Sequence, residues 1–280
     1  MMRSKPHAHR LLHLLWLAPL LALAYYGLYI EPARIEITQH RVGSDGAQQT
    51  VRIVQISDLH MREFDTLRRE VARHTQEAKP DAIVLSGDIV DRLDGMTALE
   101  SFLEALGPAP KFAVLGNWEY WSEIDRTTLA EAYARHNGKL LVNECAMLEV
   151  QGRKLAFVGL DDALAGKPNL KRAQSKCNSE SANDADGRIL IEHTPDFFGA
   201  PLASPTASPF ILSLSGHTHG GQIAPFGHAL DLPPGSGAYN RGWYDTRYGK
   251  LYVSRGIGVS VVPMRIGAAP ELPLFELGLQ

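Results

Sequence analysis

Seven side chains of ligand type stand at five places where an apolar run stops. They are Asp58 and His60 in "SDLH", Asp88 in "SGDIVD", Asn117 in "LGNWE", His193 in "IEHTPD", and His217 and His219 in "LSGHTHGGQ". Together they offer carboxylate, carboxamide and imidazole with no thiolate, a donor set for hard-to-borderline ions such as Mn, Fe or Zn. Seven donors exceed what one site with an open position needs. Two divalent ions sharing a carboxylate fit better, with Asp88 as the bridge. Such a pair, about 3.5–4 Å apart, holds a hydroxide between its ions and clamps phosphoryl oxygens during in-line attack. The expected nucleophile is therefore a metal-bridging hydroxide rather than a side chain.

Convergence of these residues requires elements that end in one place. Val- and Ile-rich runs over Gln49–Asp58, Asp81–Asp88 and Lys111–Asn117 read as buried strands. Helical patterns over Asp65–Pro80, Met96–Gly107 and Arg126–Gly138 alternate with them, with an Asp start or a Gly or Pro stop. That alternation predicts an α/β sheet. Cys145–Asp162 reads as a hairpin turning near Gly152, and Gly187–His193, Pro209–His217, Gly249–Gly256 and the C-terminal "ELPLFELG" as further strands. The polar stretch Gly166–Asp186 reads as one short helix followed by a loop. Ligands of α/β sheets sit beyond the carboxyl ends of the strands, so the five tips are expected to meet. Gly87, Gly116, Gly216, Gly220 and Gly221 let the backbone turn there and approach closely.

The 280 residues carry 28 Lys and Arg against 31 Asp and Glu. With no basic excess, a nucleic-acid partner is not expected, and no motif points to a protein partner. Cys145 and Cys177 admit either one bridge in an oxidising compartment or two free thiols. The biased segment is Leu11–Ile30, with no recurring polar face, Arg3, Lys5 and Arg10 before it and Tyr25, Tyr26 and Tyr29 at its far end. It reads as a single-pass anchor within residues 1–30, the remainder lying outside the cytoplasm. A cleaved signal peptide is the rival, because Ala22-Leu23-Ala24 satisfies the A-x-A rule. Residues 31–48 read as a linker or first strand, and 49–280 as one catalytic domain.

The ordered motifs DxH, GDxxD, GNxE, Hx₂D and GHTHGGQ, over about residues 50–280, resemble those of the calcineurin-like metallophosphoesterases. The resemblance implies a four-layer α/β/β/α sandwich, here preceded by one transmembrane helix, with the site at the sheet edge. It implies one metal on Asp58, His60, Asp88 and His219, and a second on Asp88, Asn117, His193 and His217. The C-terminal "YVSRGIGVSVVPMRIGAAPELPLFEL" is similar to a membrane-associated phosphodiesterase branch, some of whose members act on lipid-linked substrates such as UDP-2,3-diacylglucosamine. The expected activity is thus a phosphodiesterase or pyrophosphatase on a lipid-linked or nucleotide-linked, amphiphilic substrate at a membrane.

One position departs from the family pattern. GNHD or GNHE carries a histidine that assists the leaving group, and here Trp118 takes its place. Indole neither donates a proton in that role nor binds metal. Glu119 is the candidate replacement acid. A phosphomonoesterase and a metal-binding module with little catalysis stay open as alternatives. Asp91 is expected to orient a ligand or cap a helix. Trp118, Tyr120 and Trp121 line a pocket or pack their loop. Arg241, Arg247 and Arg255 are candidates for phosphate contact or ordinary ion pairs, and Asp161-Asp162 is read as a turn near the site.

Overall fold

The computed structural model describes residues 17–43, 50–177, 185–204 and 208–279. Twelve strands among these form two six-stranded sheets. In the first, β2 (Thr50–Ile56), β3 (Ala82–Ser86), β4 (Lys111–Val114) and β5 (Gly138–Leu140) run parallel. Strand β12 (Glu271–Gly278) joins them antiparallel to β2, and β1 (Glu36–Gly43) pairs parallel with β12 at the edge. The second sheet has β7 (Arg153–Gly159), β8 (Gly187–Ile191), β9 (Leu212–Ser215) and β11 (Gly249–Val253) in parallel. Antiparallel strands β6 (Glu144–Val150) and β10 (Gly242–Thr246) flank it.

Period-two patterning explains how the sheets stack. On β2, Val51 and Ile53 join an apolar cluster with Val84, Phe112, Leu155, Phe157, Ile189 and Leu212, drawn from both sheets. The alternate residues Val54 and Ile56 face the other way, onto a cluster built by helices. Those helices are α2 (Thr66–Glu77), α3 (Met96–Ala105) and α5 (Arg126–Arg135), contributing Val71, Leu99, Phe102, Leu103 and Leu129. Across the inter-sheet core, Phe112 and Phe157 stack with centroids 3.9 Å apart. On the far face of the second sheet, Ala173 and Cys177 of α6 (Leu170–Cys177) pack on Val158 and Leu190. A mixed α/β chain with two sheets is therefore what the alternation of strands and helices produces.

The predicted helices form within two or three residues of their expected limits. Asp65 caps α2 by accepting from the Arg68 N–H at 3.0 Å, and Asp125 caps α5 from Thr128 at 2.9 Å. The hairpin turns at Gln151-Gly152, between β6 and β7. Cys145 and Cys177 form a disulfide, which ties α6 to β6; the expectation had left that pairing open. The loop expected to follow α6 lies partly outside the described residues, over 178–184.

The anchor region is divided likewise. Residues 1–16 lie outside those described; residues 17–25 are helical (α1) and continue through two short irregular helices, Tyr26–Ile30 and Glu31–Ala33. Among the described residues no helix is long and apolar enough to cross a membrane. Helix α1 nonetheless exposes Leu17, Leu20, Leu21 and Leu23. Its far end is built into the fold: Gly27 packs on Met264 and Ile266, and the Ala268 N–H donates to Glu31 at 2.9 Å.

Candidate metal centre

All five strand tips meet at one edge, where the two sheets come together. Asp58 and His60 follow β2, Asp88 follows β3, and Asn117 opens the short helix α4 (Asn117–Trp121) after β4. From the second sheet, His193 follows β8 and His217 and His219 follow β9. All seven are buried. Five of them, Asp58, His60, Asp88, His217 and His219, hold positive φ between 45° and 74°. That region disfavours residues with a Cβ by about 1–3 kcal/mol each and concentrates at functional sites. Two glycines make the crossing of loops sterically possible. Gly87 sits at φ +91°, and a Cβ there would stand 2.5 Å from His193 Nδ1. A Cβ on Gly216 would collide with Ser57 and Asp58.

The donors fall into two groups, Asp58 with His60 and His219, and Asp88 with His193 and His217. Within each, one donor atom per residue lies inside 4.8 Å of the others. Asp88 faces both groups. Its Oδ1 accepts from the Trp118 backbone N–H at 2.9 Å, which leaves Oδ2 turned inward. That oxygen is 3.1 Å from His193 Nε2 and 3.9 Å from His60 Nε2, one histidine of each group. The groups also touch through backbone, since the His217 N–H donates to Asp58 at 3.0 Å.

Outer contacts fix which ring nitrogen faces inward. His193 donates Nδ1–H to the Ser86 carbonyl at 2.7 Å, and His217 donates Nε2–H to the Pro234 carbonyl at 2.7 Å. Of the opposite nitrogens, His193 Nε2 meets Asp88 Oδ2, while His217 Nδ1 is buried without a hydrogen-bond partner, as is Asn117 Oδ1. Buried polar atoms without partners are costly. Two such atoms beside Asp88 Oδ2, all of ligand type, are what a pair of cations would satisfy.

Protonation suits the same purpose. Burial pulls His60 down to about 4 and pulls His217 and His219 down as well, so these rings are neutral near pH 7, the form that binds metal. For Asp88 burial pushes upward, but the His193 charge and hydrogen bond outweigh it and hold the carboxyl at about 2. Asp58 is pushed up to about 6 by burial and by Asp88, against the pull of His193.

Around the clusters the sequence expectations sort differently. Glu119 points away from any reacting group: its carboxylate accepts four backbone N–H bonds, from Asp88, Ile89, Val90 and Gly116, at 2.7–3.2 Å. Burial and Asp88 push it up while those bonds pull it back. It clamps the loops that carry Asp88 and Asn117. Asp91 is buried and accepts from Arg62 at 3.1 Å; it caps no helix. Trp118 stands edge-on over His60, centroids 5.4 Å apart, with Trp121 against it at 5.5 Å. Tyr120 leaves that cluster to hydrogen-bond Asp161, under Arg126. Asp162 caps the turn through the Leu164 and Ala165 N–H groups, as a turn reading expects.

Arg241, Arg247 and Arg255 do not line the cavity over the clusters. Arg241 binds the Gly267 and Gly227 carbonyls, Arg247 lies over Tyr248, and Arg255 pairs with Glu36 and Glu271. The cation nearest the site is one the sequence did not single out. Arg265 is fully buried, donates to the Gly258, Ala268 and Arg255 carbonyls, and has Nη2 3.3 Å from His219 Nδ1. A lone Arg in a Gly- and Pro-rich tail carries no spacing signal that would have flagged it.

Two buried clusters joined by one carboxylate oxygen, on these five motifs, match a known family. Residues 51–221 fit the calcineurin-like phosphoesterase model. This chain belongs to that family. As a member it is a metal-dependent phosphoester hydrolase, and the family uses two divalent ions, for which the Asp58 and Asp88 clusters are the two candidate sites. The chain is 32% identical over 270 residues to the uncharacterized metallophosphoesterase YkuE of Bacillus subtilis, covering 90% of this chain and 88% of that one. It is 28% identical over 263 residues to the phosphodiesterase YaeI of Escherichia coli, covering 90% and 92%. Among solved structures, a dimetal phosphatase from Danio rerio aligns at a TM-score of 0.42 and 13% identity, over 77% of this metallophosphoesterase and 90% of that chain.

Proposed function

We propose that this protein is a phosphodiesterase or pyrophosphatase that cleaves an amphiphilic, lipid-linked or nucleotide-linked substrate beside a membrane. In this reading Asp58, His60, Asp88 and His219 hold one divalent ion, and Asp88, Asn117, His193 and His217 the other. The observation that carries it is Asp88 Oδ2, set between a histidine of each cluster at 3.1 and 3.9 Å. When bound, such a pair supplies Lewis acidity and a water that ionises near neutral pH. The protein's own contribution is orientation: outer carbonyls aim His193 and His217, and Glu119 fixes the loops carrying Asp88 and Asn117.

The cavity above the clusters supports the amphiphilic substrate. It encloses about 560 Å³, with Asp88, Asn117, His217 and His219 on its floor and Trp118, Trp121, Leu164, Leu230 and Leu232 on its walls. An ionic floor under apolar walls fits a phosphoester carrying a hydrophobic or planar group. The relative YaeI is named a phosphodiesterase, which agrees. The apolar faces of α1 support anchoring through residues 1–30, and the Cys145–Cys177 disulfide supports an oxidising, extracytoplasmic compartment.

Trp118 favours a second reading, metal binding with little turnover, because an indole stands in place of the family histidine and, apart from the candidate ligands, Asp231 is the one carboxyl on the cavity lining. Elemental analysis of purified protein, alongside assays on bis-nitrophenyl phosphate, nitrophenyl phosphate and UDP-sugars, separates the readings. Two metals per chain and diester turnover abolished by Asp88→Asn are expected. Preference for the monoester would replace the diesterase, and metal without turnover would leave the binding module.

A further inference from the structure

Two loop tips beside the cavity put large apolar side chains fully into solvent. Phe226 is 100% exposed and Val261 91%, both on left-handed backbone at φ 55° and 59°. For a β-branched or bulky residue that conformation is unfavourable in itself, so each tip combines local strain with unburied apolar surface. Leu230, Val262 and Trp121 continue the exposed patch around the cavity mouth.

The two tips are one structural unit. Gln222 donates to the carbonyls of Ser260 and Val262 at 3.0 and 2.9 Å, and the Ala224 N–H donates to Ile266. The unit is continuous with the N-terminal helix. The Arg265 N–H donates to the Gly27 carbonyl at 2.9 Å, and Leu23 and Tyr26 share a cleft with Pro225 and Phe226. Exposed Leu230 and Val261 therefore line the metal-site cavity, and Phe226, with Leu23, the cleft beside the N-terminal helix, on segments joined by the bonds above. Patches of this kind on a protein surface mark an interaction site.

We infer that the loop tips Phe226–Leu230 and Val261–Val262 dock on the lipid bilayer, so that the mouth of the metal-site cavity opens at the membrane surface. This rests on the anchored reading above and adds an orientation to it. The helix by itself is one attachment, seated in the fold at its far end; the tips add a second that holds the cavity against the interface, where an amphiphile enters without crossing water. A lipid surface is the occupant because the patch adjoins the apolar helix and carries aliphatic and aromatic tips, while the cleft beside Phe226 also holds Arg34, Glu36 and Arg241, a mixed polar border of the kind a headgroup layer accepts.

The test uses the full chain with one added cysteine, the native pair being held in the disulfide. Phe226→Cys, Val261→Cys and Gln151→Cys, the last at the hairpin turn remote from the site, are each labelled with an environment-sensitive dye. Each is then mixed with phosphatidylethanolamine–phosphatidylglycerol vesicles, and vesicle association is followed separately by flotation. Dyes at 226 and 261 should shift to the blue and lose emission to nitroxide-labelled lipid, while the dye at 151 stays aqueous. If the chain floats but 226 and 261 behave like 151, docking is wrong and the anchor stands. If the chain does not float at all, both fall.

Discussion

At residue 118 the chain departs most sharply from its family. In the family pattern a histidine stands there, and in this protein the indole instead lies edge-on over His60. General acid assistance is worth about 10²–10⁴-fold, and the gain is largest where the leaving group is a poor one. Trp118→His should therefore accelerate cleavage of alkyl phosphodiesters by roughly that factor while changing nitrophenyl esters little. The check is the slope of log kcat against leaving-group pKa, which should flatten in the variant; an unchanged slope would show that the position takes no part in proton transfer. Glu119 presents the opposite case, a residue whose chemistry is structural. Four N–H groups converge on its carboxylate, and the single acceptor oxygen of a glutamine cannot serve them all. Glu119→Gln should cost about 1–3 kcal/mol in urea-induced unfolding and also weaken metal binding, since the Asp88 and Asn117 loops lose their clamp. A variant with wild-type stability would return Glu119 to the list of candidate acids.

At the scale of elements, the strand tips were the readable part. Asp, His and Asn directly after Val- and Ile-rich runs announced both the strands and their ends, because a buried run must surface where its ligands gather. Strands β5 and β10 were missed: "GKL" and "GWYDT" are too short and too mixed for a period-two signal, and they form because β4 and β11 offer them open edges. The Glu119 clamp was equally hidden, since it reaches back about thirty residues to the β3 loop. So was the disulfide, which depends on α6 lying against β6 and not on any spacing of its cysteines. That bridge closes a loop of 32 residues, for which chain entropy gives about 3–4 kcal/mol. Cys145→Ser with Cys177→Ser should lower the denaturant midpoint accordingly without changing metal content, because α6 packs on the face away from the inter-sheet core. A double variant that unfolds at the wild-type midpoint would mean that packing alone seats α6.

Over the whole molecule, the site is also the seam. Asp58, His60, Asp88 and Asn117 come from the first sheet and His193, His217 and His219 from the second, so any cation pair they hold ties the two sheets together at that edge. Without cations, two buried carboxylates and the unpartnered atoms of Asn117 and His217 are left together there, a state that favours opening of the edge. Ions that bind only the folded chain add RT ln(1 + [L]/Kd), about 4 kcal/mol at a thousandfold excess over Kd. Chelation should thus shift the urea midpoint downward, and added Mn²⁺ should restore it. Hydrogen exchange should locate the loss: amides of Asp58, His60 and Gly216, which bond across from loop to loop at this edge, should exchange faster, while those of the β6–β7 hairpin should not. Asp88→Asn protein should be insensitive to the chelator, having lost the shared ligand already. Identical midpoints for metal-loaded and fully stripped wild-type protein would show that the seam is closed by its apolar core alone, leaving the cations a role in chemistry but none in holding the sheets together.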